Sequence, residues 1–208
     1  ETRDELLAVS IDTADDVHLL QRIDGTWADA FGAALATATS SAWSGVDVAY
    51  ESGSDDAVVV WNNGTAGATS LSYRVWDGDT WSSPATITTP VAGTFEHFRL
   101  AASPRTDQMV LVASNEASQD VAVVWDGSSW GHALTLDAGS GNARGDVGVA
   151  YESSSGRAMV VYAEGSGNVG DDVRYRFWNG SSWTAQASLG EPGGLTGSAD
   201  TPRWAGVT

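Results

Sequence analysis

Cysteine and lysine are both absent from this chain of 208 residues. Without cysteine, the protein can form no disulfide bond, no thiolate metal site and no cysteine nucleophile. Charged residues are scarce at 18%, and their signs are unbalanced: Asp and Glu number 27, all ten cationic residues are Arg, and the formal net charge is −17. So acidic a surface repels phosphate groups, which excludes nucleic acids and anionic membrane surfaces as expected partners.

Long apolar segments are missing as well. No apolar run approaches the roughly 18 residues of a membrane-spanning helix, so we expect no membrane insertion. Apolar residues still make up 42% of the chain and Trp occurs ten times, which indicates a folded core and not intrinsic disorder. The acidic composition suits a soluble protein from a GC-rich genome, and it equally suits adaptation to high salt. The chain starts at Glu1, so we expect it to be processed, excised or only partly represented.

A tryptophan-bounded motif recurs about every 50 residues. Its pattern is Trp-Asp/Asn-Gly-x-x-Trp at 76–81, 125–130 and 178–183, and a shorter copy occupies 23–27. Asp-Gly and Asn-Gly favour tight hairpin turns, because such turns need positive φ. We therefore interpret these residues as structural corners: Asp24, Gly25, Trp27, Asp77, Gly78, Trp81, Asp126, Gly127, Trp130, Asn179, Gly180 and Trp183.

Each repeat contains four short segments rich in Val, Tyr and Trp, with Gly, Asp, Asn and Ser between them. In the second unit these predicted strands are 46–51, 57–62, 71–76 and about 81–87. A four-stranded unit repeating about every 50 residues is typical of a β-propeller blade. A β-sandwich is the competing all-β fold, but it does not require Trp to repeat in register. The sequence therefore predicts an all-β chain folded as a β-propeller with four blade equivalents.

The repeat also predicts boundaries within a single domain over 1–208. The first blade keeps strands two to four at 1–42, and the following blades occupy 43–94, 95–143 and 144–202. Residues 203–208 resemble the start of a first strand, because Trp204-Ala205-Gly206-Val207 matches Trp43-Ser44-Gly45-Val46. One blade would then be split between the termini and close the ring. Two alternatives fit equally: the last strand completes a neighbouring copy, or the chain is an arc of a larger propeller.

The Trp-Asp-Gly-x-x-Trp corners resemble the repeats of secreted bacterial and archaeal propellers related to the BNR/Asp-box (sialidase-like) class. An Asp-box there reads roughly Ser-x-Asp-x-Gly-x-x-Trp, whereas here Asp and Gly are adjacent and no Ser stands two residues earlier. The resemblance implies a propeller, a fold that hosts lectins, hydrolases and scaffolds alike. It also implies that sialidases of the class use an Arg cluster, a Tyr–Glu pair and an Asp acid.

Tyr50-Glu51 and Tyr151-Glu152 invite that comparison. Both pairs occupy equivalent repeat positions, and adjacent residues of a strand point to opposite faces. We therefore interpret them as blade architecture and predict a protein that is not an enzyme.

Metal and modification sites are weakly indicated. The three histidines, His18, His97 and His132, lack ligand spacing. Paired aspartates could bind Ca²⁺, with Asp171 and Asp172 as weak candidates beside 15–16 and 55–56, and no other cofactor is predicted. Asn63 begins a glycosylation sequon, and Asn179 begins another inside a corner.

The long, dissimilar loops of the predicted propeller should open on one face, as a binding surface on a rigid scaffold does. Candidate ligand contacts there are Phe95, His97, Arg144, Asp146, Arg203 and Trp204. We predict a non-enzymatic extracellular or cell-surface module that binds a glycan or a surface protein. The alternative is a structural subunit of a surface layer, appendage or fibre, in which copies of the chain exchange terminal strands. A sialidase-like glycoside hydrolase fragment ranks third.

Overall fold

The computed structural model describes residues 5–37, 45–62, 64, 67–138, 147–163, 173–189 and 207. These residues form fifteen strands in four antiparallel sheets. The first sheet contains β1 (Glu5–Ile11), β2 (Val17–Ile23) and β3 (Thr26–Asp29). The second contains β4 (Val46–Tyr50), β5 (Ala57–Trp61), β6 (Ser70–Trp76) and β7 (Ala85–Thr88).

The third and fourth sheets repeat this arrangement. The third contains β8 (Phe95–Ala102), β9 (Met109–Asn115), β10 (Gln119–Trp125) and β11 (Trp130–Ala138). The fourth contains β12 (Val147–Tyr151), β13 (Ala158–Ala163), β14 (Val173–Trp178) and β15 (Ala187–Ser188). Within every sheet, strands that follow each other in the chain are neighbours. None of the described residues forms a helix that could cross a membrane.

The sheets stand side by side as blades of a β-propeller. Strand β4 contacts β8, and β8 contacts β12, which places these first strands nearest a common axis and the fourth strands at the rim. The predicted all-β propeller is confirmed. Three apolar clusters fill the three interfaces between successive sheets, so the described sheets form an arc. Residues 203–206 and 208 lie outside the described residues, and the split blade remains a prediction.

The second strands show why the sheets must stack. Every residue of β5 and every residue of β9 is buried, although neither strand alternates between apolar and polar side chains. Such runs are stable only where both faces of a sheet are covered. The first sheet differs, because β1 has one described neighbour, β2, and no strand on its inner side.

The fourth strands begin later than the sequence suggested in two sheets. Trp81 and Trp183 each form an isolated bridge to the Trp that ends the third strand, and pairing resumes only at Ala85 and Ala187. The hydroxyl after each Trp explains the gap, because the Oγ of Ser82 and the Oγ1 of Thr184 accept hydrogen bonds from third-strand backbone N–H groups.

Polar contacts fix the spacing between sheets at the face that carries the strand one–two turns. The indole Nε1 of Trp125 donates to the carboxylate of Glu51 in the preceding sheet. The Asp107 carboxylate accepts the N–H groups of Gly53 and Ser54, at 2.6 and 3.1 Å. A Cβ at Gly53 would lie 2.8 Å from Asp107 Oδ1, so this approach requires glycine.

Replacing Glu51 should test the indole contact. The Glu51→Ala change leaves a buried donor on Trp125 unsatisfied, and it should lower the free energy of unfolding by about 1–3 kcal/mol in urea titrations. The Glu51→Gln variant keeps an acceptor and should retain most of the stability. Glu152 is the equivalent residue of the fourth sheet and is 52% exposed, so Glu152→Ala should stay within about 0.5 kcal/mol. Equal losses for the two alanine variants would contradict this role of Glu51.

The His18 imidazole should make the first sheet sensitive to pH. Its two ring nitrogens lie 3.4 Å from the carboxylates of Asp12 and Asp29. Desolvation lowers the pKa of His18, but the hydrogen bonds to Asp29 and Asp12 outweigh it, and the pKa lies above its usual value. The charged form therefore stabilises the fold fully below about pH 6.5, and this contribution disappears as the pH rises through the folded pKa. The difference in urea midpoint between wild type and His18→Gln should shrink from pH 5.5 to 8, and a constant difference would contradict it.

Candidate functional site

Two of the six predicted ligand contacts lie in the described part of the chain. Phe95 is fully buried in the core between the second and third sheets, so its ring offers a ligand no accessible surface. His97 is half-buried on β8, where a register shift separates it from Phe95 and places it opposite Ser114. The remaining four lie outside the described residues: Arg144, Asp146, Arg203 and Trp204.

The corner residues form turns. The side-chain oxygens of Asp77, Asp126 and Asn179 accept hydrogen bonds from the backbone N–H groups two and three residues later. These bonds, chiefly that from Thr80, hold the pKa of Asp77 below its usual range. The glycine of every corner has positive φ, from 81° to 98°: Gly25, Gly78, Gly127 and Gly180. The corners are thus satisfied internally.

The Tyr–Glu pairs also have structural partners. Tyr50 donates its hydroxyl to Glu5 at 3.1 Å, and Glu51 accepts from Trp125. Burial raises the pKa of the Tyr151 phenol, which disfavours the phenolate that a nucleophile would need. Glu152 is exposed and paired with Arg157 at 3.4 Å. These contacts bind blades together and arrange no reacting pair.

The residues considered for metal or glycan attachment fall mostly outside the described ranges, namely Asn63, Asp171 and Asp172. Within those ranges, no three His, Asp or Glu side chains are grouped as metal ligands. The calcium and glycosylation sites therefore remain predictions. Asp12, beside the 15–16 pair, accepts the N–H groups of Ala14 and Asp16 and so closes a turn.

A cavity of about 390 Å³ opens between the outer strands of the second and third sheets. This volume lies within the range of small-molecule sites, about 300–1,000 Å³. Aromatic side chains of Tyr73 and Trp130 form part of the wall, with ring centroids 6.1 Å apart at an edge-on angle of 75°. The other lining residues are Thr86, Thr88, Thr89, Pro90, Val123, Ser129, Gly131, His132 and Ala133. We name this space the rim cavity.

The corresponding positions at the other two interfaces are filled. Between the first and second sheets, the ring of Phe31 lies 5.6 Å from that of Trp81, and the Arg74 guanidinium covers it at 4.4 Å. Between the third and fourth sheets, the imidazole of His132 packs 4.7 Å from Trp178. His132 adopts φ 51° in a bulge of β11, which turns its ring toward the fourth sheet. No such side chain projects from β7, so the rim cavity stays open.

The same bulge changes the bonding of the corner tryptophans. Trp183 donates its indole N–H to the backbone oxygen of His132 at 2.8 Å. The equivalent N–H of Trp130 is buried and has no protein partner, because β7 offers no bulged carbonyl. Trp130 therefore combines an aromatic wall with an unused donor beside the rim cavity.

The rim cavity is electrically plain in a strongly acidic protein. None of its lining residues carries a carboxylate or a guanidinium, and its polar groups are hydroxyls, the His132 imidazole and backbone groups. A neutral ligand would therefore meet neither a strong attraction nor a strong repulsion there.

The sequence pointed to this site only indirectly. Trp130 and Tyr73 stood out as repeat residues and were explained as architecture, whereas the lining threonines belong to no motif. One signal was available, since Gly131 follows the corner Trp where the other units have Ser82 and Thr184. Phe31 and His132, which close the neighbouring interfaces, belong to no repeated position that could have flagged them.

Comparisons with known proteins place the fold. No family model matches the sequence, and no curated protein matches it. The Burkholderia pseudomallei lectin BP39L is similar in structure over 92% of this chain and 53% of its own, with 14% identity and a TM-score of 0.55. The Aleuria aurantia lectin, described as a six-bladed β-propeller with a novel fucose recognition mode, is similar over 89% and 60%, at 13% identity and a TM-score of 0.52.

A third similar structure is NanB bound to optactamide, over 85% of this chain and 29% of that one, at 12% identity and a TM-score of 0.50. The chain thus spans little more than half the length of the lectins it resembles. At these identities the likeness shows the fold, and the Asp-box assignment remains a prediction. The four sheets are a partial β-propeller, built like consecutive blades of the six-bladed kind.

Proposed function

We propose that this chain is a non-enzymatic carbohydrate-binding propeller module that holds a neutral sugar in the rim cavity. The observation that carries the proposal is the lining of that cavity, which combines two aromatic side chains with a row of hydroxyls and no charge. The location we propose, outside the cytoplasm or at the cell surface, agrees with such a role.

A sugar ring matches this lining chemically. Its C–H faces are apolar and pack against aromatic rings, while its hydroxyls both donate and accept hydrogen bonds. Tyr73 and Trp130 offer the aromatic surface, and Thr86, Thr88 and Ser129 bring hydroxyls that can take either role. The imidazole of His132 adds a further polar group.

The walls are rigid, which favours binding. The cavity lies on β6, β7, β10 and β11, and the strands behind it belong to a fully buried cluster that includes Leu71, Ile87 and Val121. A ligand that enters a preformed site loses less affinity to ordering of the protein.

Two considerations support glycan binding over the other predictions. The structural likeness includes lectins from a fungus and a bacterium, and fucose recognition is described for the fungal one. Hydrolysis of a glycoside ordinarily needs two carboxylic acids flanking the bond, and no lining residue of the rim cavity is Asp or Glu. A surface protein as partner would need a broader contact than this cavity provides.

Filling the rim cavity should abolish sugar binding without unfolding the protein. A Cβ at Gly131 would meet no atom within 4 Å, so Gly131→Leu places a side chain in open space. We expect wild type to bind neutral glycans on an array and Gly131→Leu to lose at least about 10-fold in affinity by calorimetry, a change of about 1.4 kcal/mol.

The matched control is Gly131→Ala, which adds one methyl group at the same backbone position and should keep most of the binding. Thermal melting should show that both variants remain folded. Equal binding by wild type and the leucine variant would refute the rim cavity as the site. Binding of acidic glycans alone would refute the preference for a neutral sugar.

A further inference from the structure

The tryptophan that ends each third strand follows a bonding rule. Trp125 donates its indole N–H to Glu51, and Trp178 donates to Gln108 at 3.1 Å. Both acceptors lie in the turn between the first and second strands of the preceding sheet. Each sheet thus satisfies a buried donor of the next one through that turn.

Trp76 breaks this rule. Its side chain is only 6% exposed, and its indole N–H is buried without a hydrogen-bond partner. The preceding sheet is the first one, which has no described strand before β1 and therefore no turn in this position. A buried N–H that has lost water and gained no acceptor costs stability, so an acceptor there would be strongly favoured.

The burial of β1 points to the same gap. Leu7, Val9 and Ile11 face the second sheet but are only half-buried, whereas the equivalent strands β5 and β9 are buried throughout. Leu6 on the opposite face is 51% exposed. The inner side of β1, which β4 and β8 occupy in their own sheets, has no strand among the described residues.

We propose that the inner edge of β1 binds a β-strand of another polypeptide, followed by a turn whose carboxylate or carboxamide accepts the N–H of Trp76. The added strand runs antiparallel to β1, as β4 runs to β5. Backbone hydrogen bonds supply the affinity, and the acceptor in the turn supplies specificity. This interaction surface lies near the axis, away from the rim cavity, and is independent of the proposed sugar site.

The occupant must come from outside residues 5–208, because the chain contains no spare copy of such a strand and turn. Residues 203–208 repeat only its beginning, since Thr208 corresponds in sequence to Asp47, four residues before Glu51. The strand–turn units of the second, third and fourth sheets are already built into those sheets.

The test uses a fluorescent synthetic peptide with the sequence of residues 147–157, which contains one strand, its turn and Glu152 and carries no net charge. We expect the intact chain to bind it in an anisotropy titration. The Glu152→Ala peptide should bind about 10-fold more weakly, because it cannot accept from Trp76. Methylation of alternate peptide nitrogens on the edge that faces β1 should abolish binding.

A double-mutant cycle ties the effect to Trp76. The Trp76→Phe chain should bind the two peptides equally, and its far-ultraviolet spectrum and melting curve check that it folds. Failure of the intact chain to bind, or discrimination between peptides that survives in Trp76→Phe, would overturn the proposal. If the peptide binds only to a Val207→Pro chain, the protein's own last residues occupy the edge, and a separate partner strand is refuted.

Discussion

Apolar contact between the faces of neighbouring sheets is the interaction on which the rest of this structure depends. A single sheet whose central strands are apolar on both faces, as β5 and β9 are, would leave one face in water. Stacking removes both faces from solvent, and burial of apolar area is the dominant favourable term. The polar contacts act within that frame: Glu51 and Asp107 set how closely the turns approach, and they satisfy donors that stacking has taken from water.

The same frame explains why three similar interfaces differ in function. Each interface presents a corner tryptophan toward the sheet before it, and one further side chain decides whether the space beside it is occupied. Phe31 occupies it at the first interface and His132 at the third, whereas the second remains open. Because the strands are held by the buried core, such a change in one residue creates or removes a site without disturbing the scaffold.

The sequence predicted the repeated part of this architecture and missed the unrepeated part. Spacing of Trp-Asp-Gly fixed the sheet type, the strand order and the missing first strand, because hairpin chemistry is local. The rim cavity depends on a left-handed residue at His132 and on a loop side chain at Phe31, which are tertiary features with no periodic signal. The late start of β7 was likewise hidden, since it depends on the Ser82 hydroxyl capturing a backbone N–H. Phe95 illustrates the opposite error: an aromatic residue next to a predicted loop is in fact core.

Stacked sheets have two ends, and the ends of this arc are chemically unequal. Among the described residues, the large exposed apolar side chains are Leu6, Leu20, Ile23 and Trp27 on the first sheet and Leu189 just after β15. On the fourth sheet, the Arg157 guanidinium lies 4.8 Å from the ring of Phe177 and shields it, as Arg74 shields Phe31 inside the arc. The last sheet therefore tolerates water on its outer face. The first sheet combines exposed apolar side chains with an incomplete inner edge, and the orphaned indole of Trp76 lies directly behind it, so the stabilising contact still missing from the arc belongs at that end.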